Sequence, residues 1–302
     1  MEIISKRHFY KYYVVLIISN LFLLTFGGFL ILKGFEENNN KIILGSLFLF
    51  IIAISITFGF IKSTPTIILN KEGISFKNNF YKWHELTNSK LTGKGDMIFT
   101  SGECTTLFFN DKTRIQFFDD FYSNSAEMKY FIEEIILKKT EDTELSKEVI
   151  NIDTEFFTSY KGNPVFSFRG IMMWGIILCF CLLSLLSNKT INTGGNVFFI
   201  IFSLFWFIIN SWMMDYFEIS KNIFVIKNHY FFWKKVVYPI AELKEVVFEQ
   251  QGKGPNTLRI ILKDFSVKKY YAGSLTNTTW IQLKTEFETQ NIPVRNHCIP
   301  EK

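Results

Sequence analysis

The sequence predicts a membrane-anchored α+β protein in which four transmembrane helices carry two small, mostly antiparallel β-barrels, each closed by one C-terminal helix. Three observations lead there. Four apolar blocks occur in two pairs, Tyr12 to Leu32 with Ile42 to Ile61 and Gly170 to Ser187 with Val197 to Met214. After each pair the apolar spacing changes to strand-like alternation and then, once, to a helical stripe. The whole arrangement occurs twice, about 150 residues apart.

Each block is free of acidic and basic side chains and is close to the ~20 residues that cross ~30 Å of hydrocarbon. Helices are the default there, because lipid offers no partner for backbone polar groups. At 302 residues, 48% hydrophobic, with 35 Phe and a mean hydropathy of +0.16, the chain is too apolar for a single soluble domain of that size. The first block has a basic amino end, but it is too long for a cleaved signal segment and no small-residue cleavage pattern follows it, so it reads as a retained span. Lys6, Arg7, Lys11 and Lys62 flank the first pair, and Lys161, Arg169 and Lys221 the second, on one side. The opposite loops carry only Lys33, Lys41 and Lys189. The positive-inside rule then places both termini and both β-domains in the cytoplasm of a cell whose inner membrane is spanned four times. The spans lack the ionisable groups that transport requires. Asn20, Ser184, Ser187 and Asn210 read as helix-helix or capping contacts, and Gly27-Gly28 as a site of close helix approach.

The second β-domain shows the alternation most clearly. Phe217 and Ile219, then Phe224 and Ile226, alternate around the turn Ser220-Lys221-Asn222, and Phe231, Trp233 and Val236-Val237 continue the pattern. Val246 and Phe248, then Leu258, Ile260 and Leu262, then Val267, Lys269 and Tyr271 make three more runs. Trp280, Leu283 and Phe287 fall on one helical face. In the earlier copy, Thr66 to Asn78 aligns with Tyr216 to Asn228 without a gap, Leu107 to Asp111 with Ile260 to Asp264, and Met128, Phe131 and Ile135 with the helical stripe.

The segment Thr140 to Asn163, with Glu141, Asp142, Glu144, Glu148, Asp153 and Glu155, reads as an acidic, solvated tether. Cys104, Cys179, Cys181 and Cys298 form no C-x-x-C pair. Cys179 and Cys181, two apart on a helix, point about 200° from each other and cannot clamp one metal from one face. His84 and Glu85 are adjacent and should diverge. Gly93-Lys94-Gly95 and Gly252-Lys253-Gly254 lie between strands and read as hairpin turns, not phosphate cradles. No catalytic or metal signature is present and no cofactor is expected. The formal charge of +5 is modest and unclustered, which argues against nucleic acid. The remaining candidates are basic: Lys234, Lys235, Lys268 and Lys269, each able to add about 1 kcal/mol of attraction to an anionic leaflet.

Two spans, a hairpin of the form Ile-Leu-Asn-Lys-Glu-Gly-Ile-Ser-Phe, an aromatic shortly before Glu-Leu, paired strands and a final helix together resemble the bacterial pleckstrin-homology-like membrane proteins. The aromatic motif stands as Trp83-His84-Glu85-Leu86 and as Tyr238-Pro239-Ile240-Ala241-Glu242-Leu243. The resemblance implies a seven-stranded split barrel with one capping helix, used as a membrane-attached interaction module without enzyme activity. The resulting map is spans at 1–62, a PH-like domain at 63–139, an acidic linker at 140–164, spans at 165–214, a second PH-like domain at 215–291 and a tail at 292–302. The function expected is binding or scaffolding at the membrane, with the lipid bilayer and either another protein or a second copy as partners. The alternatives are a membrane-embedded transporter or enzyme accessory subunit, and an immunity-type protective membrane protein.

Overall fold

A computed structural model describes residues 2–96, 101–136, 155–186, 193–250, 252 and 254–300. The acidic residues from Glu141 to Asp153, the Lys139, Ser187, Lys189 and Lys253 positions and the Ile135 side chain lie outside the described residues. The chain divides into two units, Met1–Thr143 and Glu144–Lys302.

In the first unit, β1 (Glu2–Ile4) is followed by a π-helical turn (Phe9–Val14) and the helices α1 (Val15–Glu36) and α2 (Asn40–Ser63). The chain then forms β2 (Ile67–Asn70), β3 (Gly73–Phe76) and β4 (Asn79–Lys82), and next β5 (Leu86–Lys90), β6 (Lys94–Asp96), β7 (Ser101–Phe109) and β8 (Arg114–Phe118). The helix α3 (Ser125–Phe131) ends the series. One antiparallel sheet has the order β1-β2-β3-β4; in the other, β7 carries β5 and β6 along one edge and β8 along the other.

The helix pair is thus inserted between the first and second strands of one sheet. Ser5 and Ile67 lock the insertion, the Ser5 N–H donating to the Ile67 carbonyl and the Ile67 N–H to Ser5 Oγ, both at 2.8 Å. Arg7 closes it from the side, its guanidinium donating twice to the Thr64 carbonyl. Within the pair, Thr57 Oγ1 donates to Asn20 Oδ1 at 3.1 Å, and Gly27 leaves room for the Phe50 ring, where a Cβ would stand 3.2 Å from it. Gly28 meets nothing, so only the first glycine of the pair serves a close approach.

The second unit repeats the order. The strand β9 (Thr158–Tyr160) precedes α4 (Phe168–Leu186) and α5 (Thr193–Trp212). After them come β10 (Asp215–Ile219), β11 (Ile223–Asn228) and β12 (Lys235–Pro239), then β13 (Leu243–Gln250), β14 (Asn256–Leu262) and β15 (Val267–Tyr271). Finally α6 (Asn277–Thr289) crosses the core and β16 (Val294–Asn296) pairs parallel to β13. The sheets run β9-β10-β11-β12 and β15-β14-β13-β16. The aromatic-Glu-Leu motif becomes the same feature in both units, a single helical turn at Trp83–Glu85 and at Ile240–Glu242 that turns the chain from one sheet to the other.

Trp280, Leu283 and Phe287 are all buried, with Trp280 packed against Phe217 and Phe248 at ring-centroid distances of 5.8 and 5.6 Å. Burying three such side chains contributes roughly 1.5–3 kcal/mol each. Thr276 caps the helix, its Oγ1 accepting from the Thr279 N–H at 3.3 Å. Met128 and Phe131 occupy the equivalent core of the first unit.

Several sequence expectations need correction. The stretch expected as a linker over 140–164 contributes β9, whose Tyr160 is a member of the second core. The tail expected at 292–302 contributes β16, with Ile292 and Ile299 also in the core. The segment 1–62 opens on a strand of the first β-domain, with Ile3 buried. Phe231 and Trp233 do not continue a strand; β12 starts at Lys235. Of the four expected spans, two helices, Phe9–Glu36 and Asn40–Ser63, are long and apolar enough to cross a membrane, and the described apolar stretches of the second pair, Phe168–Ser184 and Phe199–Trp212, are shorter. In both units the described elements run strand, two helices, strands of two sheets, helix, and the second unit adds the parallel strand β16 after its helix.

Candidate functional site

The four lysines singled out by sequence do not act as a set. Lys234 ends the connection between β11 and β12 and turns inward, its Nζ lying 2.7 and 2.8 Å from the two carboxylate oxygens of Asp215. Asp215 is only 1% exposed. Burial pushes its carboxyl above the usual carboxylate range, and the hydrogen bonds from Lys234 and Asn228 oppose that push. Lys269 on β15 lies 3.9 Å from Glu249 Oε1, beside the two-pronged contact of the fully buried Arg259 with the same carboxylate. Lys235 and Lys268 are exposed. Lys235 stands opposite Lys227 across the β11–β12 ladder, and Lys227 is itself drawn to Glu218 at 2.6 Å. Two of the four lysines thus neutralise carboxylates of the β-domain, a role that no spacing rule announces.

The histidine and aromatic surroundings of β10 and β11 are better ordered than the sequence suggests. His229 packs against Tyr216 at a centroid distance of 4.7 Å, and Lys161 Nζ lies 4.8 Å over the same tyrosine ring. Burial, with the Lys161 charge second, lowers the His229 pKa to about 4. His84 and Glu85, expected to diverge, come within 3.7 Å across the Trp83–Glu85 turn, both well exposed. At such exposure the pair contributes little.

Two cavities lie where a helix pair meets its β-domain, and sequence reasoning missed both. In the second unit a cavity of about 410 Å³ is lined by Arg169, Met172, Trp206, Asn210, Pro255 and Gly273, among others. Arg169 Nη1 donates to Asn210 Oδ1 at 3.1 Å, and a side chain at Gly273 would press on the arginine stem. In the first unit a cavity of about 280 Å³ is lined by Lys62, Lys77 and Arg114, with Asp96 and Gln116. Each therefore presents a guanidinium beside polar side chains, an arrangement suited to hydrogen-bonding an anionic or polar group. The lining of each comes from four separate segments of the chain, so no local motif marks them.

Among the described residues no group of three His, Cys, Asp or Glu is placed to hold a metal ion. Cys104 is buried, Cys179 and Cys181 are exposed on α4, and Cys298 is half-buried. Comparison with protein-family models and with characterised proteins returns no match.

Proposed function

We propose that the protein is a membrane-embedded binding module without catalysis, in which each apolar helix pair anchors a pleckstrin-homology-like β-domain at the cytoplasmic face of the inner membrane. The observation that carries this reading is the insertion of each helix pair into the first strand connection of a β-domain. Both ends of the pair are thereby held at the β-domain, and its far end projects away. Large apolar side chains such as Phe22, Phe29, Leu44 and Ile54 stand exposed around the first pair, a surface that water disfavours and lipid covers. In this reading α4 and α5 form a second hairpin across the bilayer, making four spans.

The PH-like assignment is supported by strand count and order. Four strands in one sheet, β9 to β12, the antiparallel strands β13 to β15 of the next, and a helix plugging the open end make seven strands and one cap, to which β16 is added as an eighth strand parallel to β13. The first of these strands, β9, is the one that precedes the helix pair. The partner in this reading is another protein or a second copy, taken at an exposed sheet edge such as β15. Alkaline carbonate extraction of membranes tests the anchor: the full chain should remain in the pellet, whereas release into the supernatant would contradict it.

A further inference from the structure

The connection between β11 and β12 is longer than its counterpart in the first unit. There, β3 and β4 are joined by Lys77 and Asn78 alone, both at positive φ (51° and 68°), the tight turn of a two-residue hairpin. Gly73 pairs with Lys82 across that hairpin, and Ile223 pairs with Pro239 across the other. The offset between the copies rises from 150 at Gly73 and Ile223 to 157 at Lys82 and Pro239, so the second connection holds seven additional residues. The fold does not require them, since the first unit closes the same hairpin without them. Their irregular part is His229 to Lys234, which includes five consecutive ring-bearing residues from His229 to Trp233.

The added loop is fixed at its base and bare at its tip. Asn228 Oδ1 accepts from the Tyr230 and Phe231 N–H groups, both at 3.0 Å, while its Nδ2 donates to Asp215 and to the Ser211 carbonyl. The Lys234 ammonium holds the other end to Asp215. Between these anchors Phe232 is 86% exposed and Trp233 69% exposed, their rings in edge contact at 4.9 Å. A rigid base that displays two large apolar rings to water is costly unless something covers them.

Tyr230 indicates what covers them. Its ring packs edge-on against Phe207 of α5 and Trp174 of α4, and its hydroxyl accepts from Trp174 Nε1 and donates to the Pro164 carbonyl, both at 3.1 Å. Trp174 lies six residues into α4, about 9 Å along the helix axis from its start. The loop therefore reaches alongside the helix pair to the depth where a spanning helix passes from headgroups into hydrocarbon. We propose that Phe232 and Trp233 dip into the interfacial layer of the bilayer beside α4 and α5, fixing the tilt of the second β-domain against the membrane. Tryptophan favours that layer, and the exposed Lys235 adjoining the loop would lie at headgroup level, where a positive charge is favoured. This inference rests on the reading that α4 and α5 cross the bilayer.

The test is spin-label accessibility on the full chain in liposomes, in a background with Cys179, Cys181 and Cys298 changed to alanine. Labels are placed singly through Phe232→Cys, Ile201→Cys on the exposed face of α5, and Lys221→Cys in the turn at the other end of β11. The loop proposal expects positions 232 and 201 to be more accessible to oxygen than to a water-soluble nickel chelate, with the order reversed at 221. A water-like result at 232 with a lipid-like result at 201 would overturn the loop insertion and leave the spans standing. Shielding of 232 from both reagents would also overturn it, in favour of a covering protein surface. A water-like result at 201 would remove the spans themselves and the inference with them.

Discussion

Trp280 is where the second core is most sensitive to one substitution. Its indole is 1% exposed and touches aromatic rings from both sheets, so Trp280→Ala removes contacts that no neighbour can replace. The expected loss is about 3–5 kcal/mol in chemical unfolding of the full chain, and a loss below about 1 kcal/mol would contradict the plug. His229 sets a pH dependence of definite sign. Its pKa is lowered to about 4 in the folded chain against an ordinary 6.5, so above pH 6.5 it is neutral folded or unfolded and contributes nothing. Between 6.5 and 4 the unfolded chain binds a proton that the folded ring refuses, and stability falls. Allowing for solvent screening of a partly exposed ring, the fall is about 1–2 kcal/mol. Unfolding measured at pH 7 and pH 4.5 should show this component disappear in His229→Phe; an identical pH dependence in the two proteins would refute the assignment. At this scale the sequence was legible for apolar residues and opaque for charged ones. The stripe Trp280, Leu283 and Phe287 follows from helical spacing, whereas the inward turn of Lys234 depends on Asp215, nineteen positions away.

The short strands are the elements that change the account most. Tyr160 lies in a stretch whose acidic composition reads as a tether, yet its ring is buried in the second core and its hydroxyl lies 3.4 Å from Glu286 Oε2. Burial and that carboxylate push the Tyr160 pKa up to about 12. Tyr160→Ala should cost about 3 kcal/mol or more and speed amide exchange along β10, as the loss of a buried ring does. A change within about 0.5 kcal/mol, the range of ordinary surface substitutions, would return the segment to a tether. Strands of three residues such as β1, β9 and β16 complete barely one alternation, so periodicity cannot reveal them. At Phe231 and Trp233 the reverse holds, and alternating rings imitate a strand in a segment that forms a loop before β12. The longer strands, β13 and β14, and the helix α6 carry enough repeats of their period to be read directly.

At the scale of the molecule, the duplication visible in the sequence becomes two units with one element order, and in each the helix pair interrupts a sheet. That topology was not legible, because it depends on pairing between strands more than 50 residues apart, Ile3 with Leu69 and Tyr160 with Phe217. The long apolar helices Phe9–Glu36 and Asn40–Ser63 were legible from composition, because an unbroken apolar run of that length carries its own signal. Strand pairing holds both ends of a helix pair at the β-domain they interrupt, so under the proposed anchoring both ends share one side of the membrane with that domain. Reporter fusions test this most directly. A reporter active only in the cytoplasm, placed after Lys139 and after Lys302, and one active only outside the membrane, inserted within 38–40, should all give signal. Silence of the cytoplasmic reporters, or an inactive insertion at 38–40 in a chain that still accumulates in the membrane, would contradict the account.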